Sequence, residues 1–386
     1  MLFLKACRWG NYEIVKLLHN HYKLDVNYKV DDFACLDDKY YLIIYSSCAL
    51  VEACQGPSLD LVRFLLDNGA DVSIHTTTTT TTGRHAEVMT PLELACKNNR
   101  IDFVMLLIVS GASLTPIMDV FYPALYWAST KGSVDIVKIL LSQIQLYNKT
   151  YMTDMAAEND SDIYKQYVKL LCQLVMQTIS KGHTEIVQLL LDYIISINTV
   201  GNDDICIQSE WNDWLSAYLF AACEHGHVSI ARLLLERGAD VNRIGSDDMH
   251  ILHYMLSKHE TICIEMLKFF FEYNVNVDVV CPERGNTVLL KACDILFTEC
   301  IHALLAYGAD VNLANRNGVT PLMHACAAQD MALIRMLLEY GADVTMTNKG
   351  GLTAVDLFGK SERSIALRAL CEEYREANSK RGYVCK

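Results

Sequence analysis

The chain has 386 residues, with 33 Lys plus Arg against 46 Asp plus Glu, and a net charge of −13. An acidic excess of that size repels phosphate backbones and anionic lipid, so neither nucleic acid nor a membrane surface is the expected partner, and a basic protein is favoured. Hydrophobic residues make up 52 %, too many for a disordered chain. No apolar run approaches the roughly 18–20 residues of a membrane helix; the purest, Phe103–Val109, is far shorter.

The chain opens inside a helix pair. Leu2, Phe3, Leu4, Ala6 and Cys7 give a first apolar face, Gly10 turns the chain, and Ile14, Val15, Leu17 and Leu18 give a second. Asp25-Val26-Asn27 then leads out extended. No polar face guards this start, so it reads either as a fragment's beginning or as an end that something else covers. Lys5 and Arg8 interrupt the opening apolar residues and no cleavage site follows, which argues against a secretion signal.

The pair occupies 1–27, and residues 28–45, with Asp31, Asp32, Asp37 and Asp38, read as an insertion. The pattern returns over 46–75, from Leu50, Ala53 and Cys54 to Gly69-Ala70-Asp71. The seven threonines of 76–82 have no packing code and read as a mobile finger at a hairpin tip. Thr90-Pro91-Leu92 restarts the pattern over 83–115, and Pro123-Ala124-Leu125 does so over 116–148. Residues 149–162 read as a solvated acidic insertion. A fifth copy, 163–199, keeps Gly182-His183 and Glu185–Leu191.

Residues 200–210 read as an irregular connector. The sixth copy, 211–242, is clear again, from Ala221-Ala222-Cys223 to Gly238-Ala239-Asp240. The seventh, 243–281, is the most divergent, and its register stays open. The eighth, 282–314, ends at Gly308-Ala309-Asp310. The ninth, 315–347, is the most regular. Its Thr320-Pro321 is a helix start, because the hydroxyl accepts from an early N–H and proline there loses no needed donor. Gly341 ends its second helix in a left-handed cap. The tenth, 348–377, closes with a charged helix over Ile365–Tyr374, as a terminal cap does.

Thirty-three residues separate Gly308 from Gly341. That period, with the Thr-Pro-Leu start and the Gly-Ala-Asp exit, resembles the ankyrin repeat. The resemblance implies an all-α repeat solenoid over 1–386, about ten helix-turn-helix repeats with short β-hairpin tips. The gaps between repeats are too short for an independent domain, which needs roughly 50 residues.

Catalysis and metal binding find little support. Cys7, Cys54, Cys96, Cys223, Cys293 and Cys326 each follow an alanine at one repeat position, as small buried residues do. Reduced thiols in the cytosol or nucleus fit that use. No C-x-x-C or H-E-x-x-H occurs, so no metal is expected, and no phosphate-binding glycine loop points to a nucleotide cofactor. His183 and His227 follow turn glycines, where members of this family use histidine to tie the turn. His225 and His227, two apart, do not share a helix face. Met323 and Glu93 hold the slot of the family's T-P-L-H histidine, which puts its inter-repeat bond in doubt there. Asn242 and Asn312 stand in Asp-Val-Asn exits; in ankyrin-like proteins such asparagines can be hydroxylated, and the structural alternative is a turn residue bonded to hairpin backbone.

Function then falls to the variable surface, the hairpin tips and the open side of the first helices, which together line a concave face. Aligned on the alanine–cysteine pair, the fourth repeat offers Asp119, Tyr122, Trp127 and Lys131. The sixth offers Trp214, Ser216, Glu224 and His225, and the eighth Arg284, Asn286, Lys291 and Asp294. The ninth offers Arg316, Asn317, Val319 and His324. Aromatic residues and arginine are the usual anchors among such positions. The expectation is a monomeric, intracellular, non-enzymatic scaffold or adaptor that binds a protein through this face. One alternative is a part of a larger assembly, such as a ubiquitin-ligase substrate receptor or the cytosolic arm of a channel. A cysteine-based enzyme is a third, and no cysteine here brings a base and an orienting group with it.

Overall fold

A computed structural model describes residues 2–36, 42–74, 76–80, 87–112, 121–155, 161–198, 207–245, 249–257, 260–358 and 368–374. The chain divides into two compact units, Met1–Asp203 and Asp204–Lys386. Asp119 and Arg363 lie outside the described residues, as do 156–160, 201–206 and Thr81-Thr82.

The N-terminal unit is built of helix pairs. They are α1 Leu2–Arg8 with α2 Tyr12–Tyr22, α3 Ala49–Gln55 with α4 Leu59–Asp67, α5 Pro91–Lys97 with α6 Ile101–Val109, α7 Phe121–Thr130 with α8 Val134–Met155, and α9 Ser161–Ser180 with α10 Thr184–Asn198. First helices stack on first helices, α1 on α3, α3 on α5, α5 on α7 and α7 on α9. Second helices stack likewise. The core is the strip between the two rows, where Ala53, Cys54, Leu61, Leu65, Ala95, Cys96, Phe103 and Leu107 are all buried.

Two insertions depart from the expectation. Described parts of the first insertion and of the threonine run belong to one antiparallel sheet, β1 Val30–Leu36, β2 Leu42–Ser47, β3 Thr76–Thr80 and β4 Glu87–Met89, in that order, and residues 37–41 lie outside the described residues. Thr76–Thr80 is therefore an inner strand, with Thr78 opposite Tyr45 on one side and Glu87 on the other. Threonine is β-branched and favours extended backbone, and β2 supplies a partner with its own Ile43-Ile44-Tyr45. At the open edge, β1 carries Asp31 and Asp32 and a register shift between Val30 and Phe33, features that discourage further pairing. The acidic segment 149–162 also differs: α8 runs on to Met155 and α9 starts at Ser161.

The C-terminal unit repeats the plan. Its pairs are α11 Ile207–Glu224 with α12 Val228–Glu236, α13 Ile251–Leu256 with α14 Glu260–Phe271, α15 Val288–Asp294 with α16 Thr298–Tyr307, and α17 Pro321–Ala328 with α18 Met331–Glu339; α19 Ala354–Leu357 follows, and residues 368–374 are helical. The connector before the sixth repeat is shorter than expected, since α11 already begins at Ile207. Thr320 caps α17 by accepting from Met323 N at 3.2 Å, with Pro321 in the first turn, and Gly341 takes φ 88°. Short bridges close the hairpins at Ile244–His250, Val280–Thr287 and Thr347–Thr353.

The divergent seventh repeat is legible in this frame. His250-Ile251-Leu252-His253 stands where the ninth has Thr320-Pro321-Leu322-Met323. His250 takes the capping place, its Nδ1 accepting from Leu252 N at 3.3 Å. His253 holds the slot of the T-P-L-H histidine, with Nε2 2.9 Å from Asn286 O in the next repeat. His183, after its turn glycine in the N-terminal unit, reaches back instead, 3.2 Å from Thr130 O. It packs on Gly132, where an added Cβ would lie 2.7 Å from the ring. At Glu93 a capping box with Thr90 fills the slot instead.

The Asp-Val-Asn exit has a division of labour. The aspartate closes its own turn: Asp240 Oδ1 accepts from Asn242 N and Asp310 Oδ1 from Asn312 N, both at 2.8 Å. The asparagine grips the next repeat. Asn312 Oδ1 accepts from Asp343 N at 2.8 Å while its Nδ2 donates to Gly341 O at 3.4 Å. Asn242 does this to Asn276 and Asn274, and in the N-terminal unit Asn27 does it to Asp71 and Gly69.

Replacing Asn312 by Ala removes both bonds and leaves Asp343 N–H to water, so urea unfolding of the chain is expected to show a loss of about 1–2 kcal/mol. Burial, and then His253, depress the His250 imidazole to about 4. A base depressed on folding contributes stability above its unfolded value and loses it as pH falls through the folded one. Stability should therefore drop between pH 6.5 and 4 by up to about 3 kcal/mol from this group. His250→Thr, the capping residue used at Thr320, should flatten that part of the pH profile in urea titrations.

Candidate protein-binding surfaces

The residue before the alanine–cysteine pair, or its equivalent, forms a row along the first helices, part of it open and part buried. In the N-terminal unit the row includes Lys5, Glu52, Leu94 and Trp127; in the C-terminal unit it includes Ala221, Tyr254, Lys291 and His324. The residue after the cysteine reaches this row in the next repeat. Arg8 Nε lies 3.3 Å from Glu52 Oε2, Lys97 Nζ sits 4.2 Å from the Trp127 ring centre, and His324 Nε2 meets Asp294 Oδ1 at 2.5 Å. Three different chemistries, ion pair, cation–π and charge-assisted hydrogen bond, thus occupy one geometric relation. None is readable from a repeat motif, because each joins two positions that vary freely on their own.

Glu52 is buried, 1 % exposed, and Leu94 of the same row is buried too. Burial pushes its carboxyl up, and the Ser47 hydroxyl at 2.6 Å together with Arg8 pulls it back.

In the N-terminal unit the predicted positions separate. Trp127 is half-buried between Lys97 and Tyr126, so part of its face is spent on stacking. Lys131 is exposed at the turn after α7. Tyr122 lies in α7, with its side chain outside the described set.

In the C-terminal unit the eighth and ninth repeats converge. Asn286 Nδ2 donates to Asp294 Oδ2 at 3.4 Å, and Asn315 Nδ2 donates to Asn286 Oδ1 at 2.9 Å. With His324 on the other carboxylate oxygen, Asn286, Asp294 and His324 form one polar cluster. Lys291 is half-buried on α15. The hairpin tips interlock by backbone: Arg316 N donates to Arg284 O at 3.2 Å, and Lys349 N to Asn317 O at 3.0 Å. Arg316 lies on Gly285, where a Cβ would come within 2.6 Å of its Cγ, and donates to Glu283 O at 3.4 Å. Arg284, Arg316 and Asn317 remain exposed. Asn315 holds this tip by accepting from Asn317 N and Val319 N, a role sequence reasoning passed over.

The sixth repeat is separate from that cluster. Trp214 is half-buried, its ring 6.0 Å from Tyr218. Glu224 and His225 are exposed at the end of α11, and His225 stacks on His227 at 6.0 Å. Ser216 is buried and its hydroxyl donates to Asn212 O at 2.8 Å, which withdraws it from the surface.

A family model for ankyrin repeats, described as "Ankyrin repeats (3 copies)", matches residues 2–118, 50–151, 155–245 and 252–348. The chain belongs to the ankyrin repeat family. Ankyrin repeats generally mediate protein–protein interaction, and ankyrin repeat proteins are typically non-enzymatic interaction modules. Ankyrin repeat and SOCS box protein 11 of Danio rerio is 40 % identical over 60 residues, 16 % of this chain. The match spans 19 % of that relative's length. Among solved structures, the ankyrin repeat domain of Bcl-3, titled a unique member of the IkappaB protein family, aligns at 22 % identity and a TM-score of 0.48, over 64 % of this chain and 97 % of that one. No helix among the described residues is long and apolar enough to cross a membrane, and these residues hold no cluster of three His, Cys, Asp or Glu able to bind a metal ion.

Burial disfavours the thiolate at five of the repeated cysteines. Burial pushes the thiols of Cys7, Cys293 and Cys326 up to about 12 and also raises those of Cys54 and Cys96. Maleimide at neutral pH is expected to leave Cys54 and Cys96 unmodified in the native chain and to label both only as denaturant unfolds it, read by mass spectrometry of the peptides.

Proposed function

We propose that this chain is a non-enzymatic scaffold or adaptor that binds a protein partner through the open side of its first helices and its hairpin tips. The observation that carries the reading is the tip of the eighth and ninth repeats, where Arg284, Arg316 and Asn317 project from backbone tied by the Arg316–Arg284 and Lys349–Asn317 bonds. A surface fixed in this way needs little ordering when a partner arrives. The net charge of −13 favours a basic partner and disfavours nucleic acid. Recognition by a monomer, inside the cell and without a cofactor, completes the reading.

A second reading makes the chain a subunit of a larger assembly, such as a ubiquitin-ligase substrate receptor. Its support is the 60-residue match to a protein whose name joins ankyrin repeats to a SOCS box.

Proximity labelling in the native cell identifies the partner, and capture of that partner by purified chain then tests the surface. Trp214→Ala with Arg316→Ala is expected to weaken capture by about ten-fold or more while the circular dichroism spectrum and melting temperature hold. Unchanged capture by the double variant contradicts the assigned surface. A ubiquitin-ligase component in stoichiometric co-purification favours the second reading.

A further inference from the structure

The two outermost helices of the N-terminal unit break the burial rule that the other repeats keep. The third residue after the cap of a second helix is Leu61, Phe103, Ile136, Ile186, Ile230, Cys300 or Leu333, and each is 0–5 % exposed. In α2 the same place is Ile14, at 42 %. The residue that opens a first helix is Ala49, Ile251, Val288 or Ala354, each 0–1 % exposed; in α1 it is Leu2, at 65 %. Leu17 of α2 adds a further exposed side chain at 67 %. Leu2 and Ile14 belong to two helices packed against each other, so the bare apolar positions flank the seam of a helix pair. That arrangement seats a helix better than a flat lipid surface.

Charge narrows the occupant. The first helix pair, residues 1–27, carries Lys5, Arg8, Lys16 and Lys23 against Glu13 and Asp25, a balance of +2 in a chain whose total is −13. Arg8 is engaged with Glu52 and Gln55, whereas Lys5 of α1, Lys16 of α2 and Lys23 at the end of α2 are exposed. Two such faces would repel each other, which disfavours pairing of two copies through this end.

We propose that the α1–α2 face is a docking site for an acidic amphipathic helix of a protein partner. The site shares Lys5 with the first-helix row, while its apolar residues Leu2, Ile14 and Leu17 belong neither to that row nor to the hairpin tips, so different variants test the two surfaces.

The probe is a dye-labelled synthetic helix of about 18 residues with leucine at every third or fourth position and glutamate on the flanks. Its twin carries lysine for glutamate. Fluorescence anisotropy with the full chain is expected to show the acidic peptide binding at least about ten-fold more tightly than the twin. Ile14→Glu and Leu17→Glu should each weaken the acidic peptide by about ten-fold, while Val109→Glu, at an exposed place on α6, leaves it unchanged. The peptide pair is compared on the unaltered chain, so a variant that misfolds does not remove the test. Equal binding of the two peptides overturns the proposal. So does flotation with phosphatidylserine vesicles that Leu17→Glu abolishes, which assigns the face to a membrane, or a sedimenting dimer that the same variant dissolves, which assigns it to a second copy.

Discussion

Helices of seven to ten residues, such as α15, α16 and α17, are too short to persist alone in water. Each has one apolar face, and a single pair cannot cover both faces of its own seam. Burial of Leu304 and Leu337 to 0 % is achieved only because another pair lies alongside. Stability is therefore a nearest-neighbour property, and everything that is not a neighbour contact is free to vary. The alanine–cysteine pair follows from the same constraint. Small side chains at Ala292-Cys293 and Ala325-Cys326 let first helices approach closely, and the cysteine is chosen for size and apolarity, with its thiol kept protonated by the burial it serves.

Polar side chains set the register of the apolar stack. Asn27, Asn242 and Asn312 fix the distance from one exit loop to the next, and His183 and His253 fix the turns. On the open side, Arg8–Glu52, Lys97–Trp127 and Asp294–His324 use side chains that would otherwise be the recognition surface. The residues left over for a partner are those not drawn into such pairs, which shifts weight from Trp127 and His324 towards the tips at Arg284, Arg316 and Asn317.

Local rules made most of the fold legible. Thr320-Pro321, Gly341 and the Asp-Val-Asn exits carry their structural reasons in one or two residues. The sheet was not legible, because β2 and β3 are separated by a whole helix pair and neither insertion announces its partner. The threonine run shows the gap most clearly: low complexity reads as an unstructured loop, yet β-branched threonine needs only a strand on each side to become one itself. The seventh repeat was obscured by chemistry that is equivalent in role and different in name, a histidine in the capping place of threonine. The candidate site residues could be placed on repeat positions from the sequence, but the side chains they engage could not. The cross-repeat pairs that engage Trp127, Asn286 and His324 depend on which variable residue the neighbour happens to carry.

Neighbour burial is most directly measured by native-state hydrogen exchange on the chain with Leu304→Ala, a truncation expected to cost about 2–5 kcal/mol. Amide protection should fall in α16, in its pair-mate α15 and in the helices that touch this pair, α13, α14 and α17, while α11 and α12 keep their rates. Loss confined to α16 alone, or spread evenly through every helix of the unit, would contradict a structure held together pair by pair.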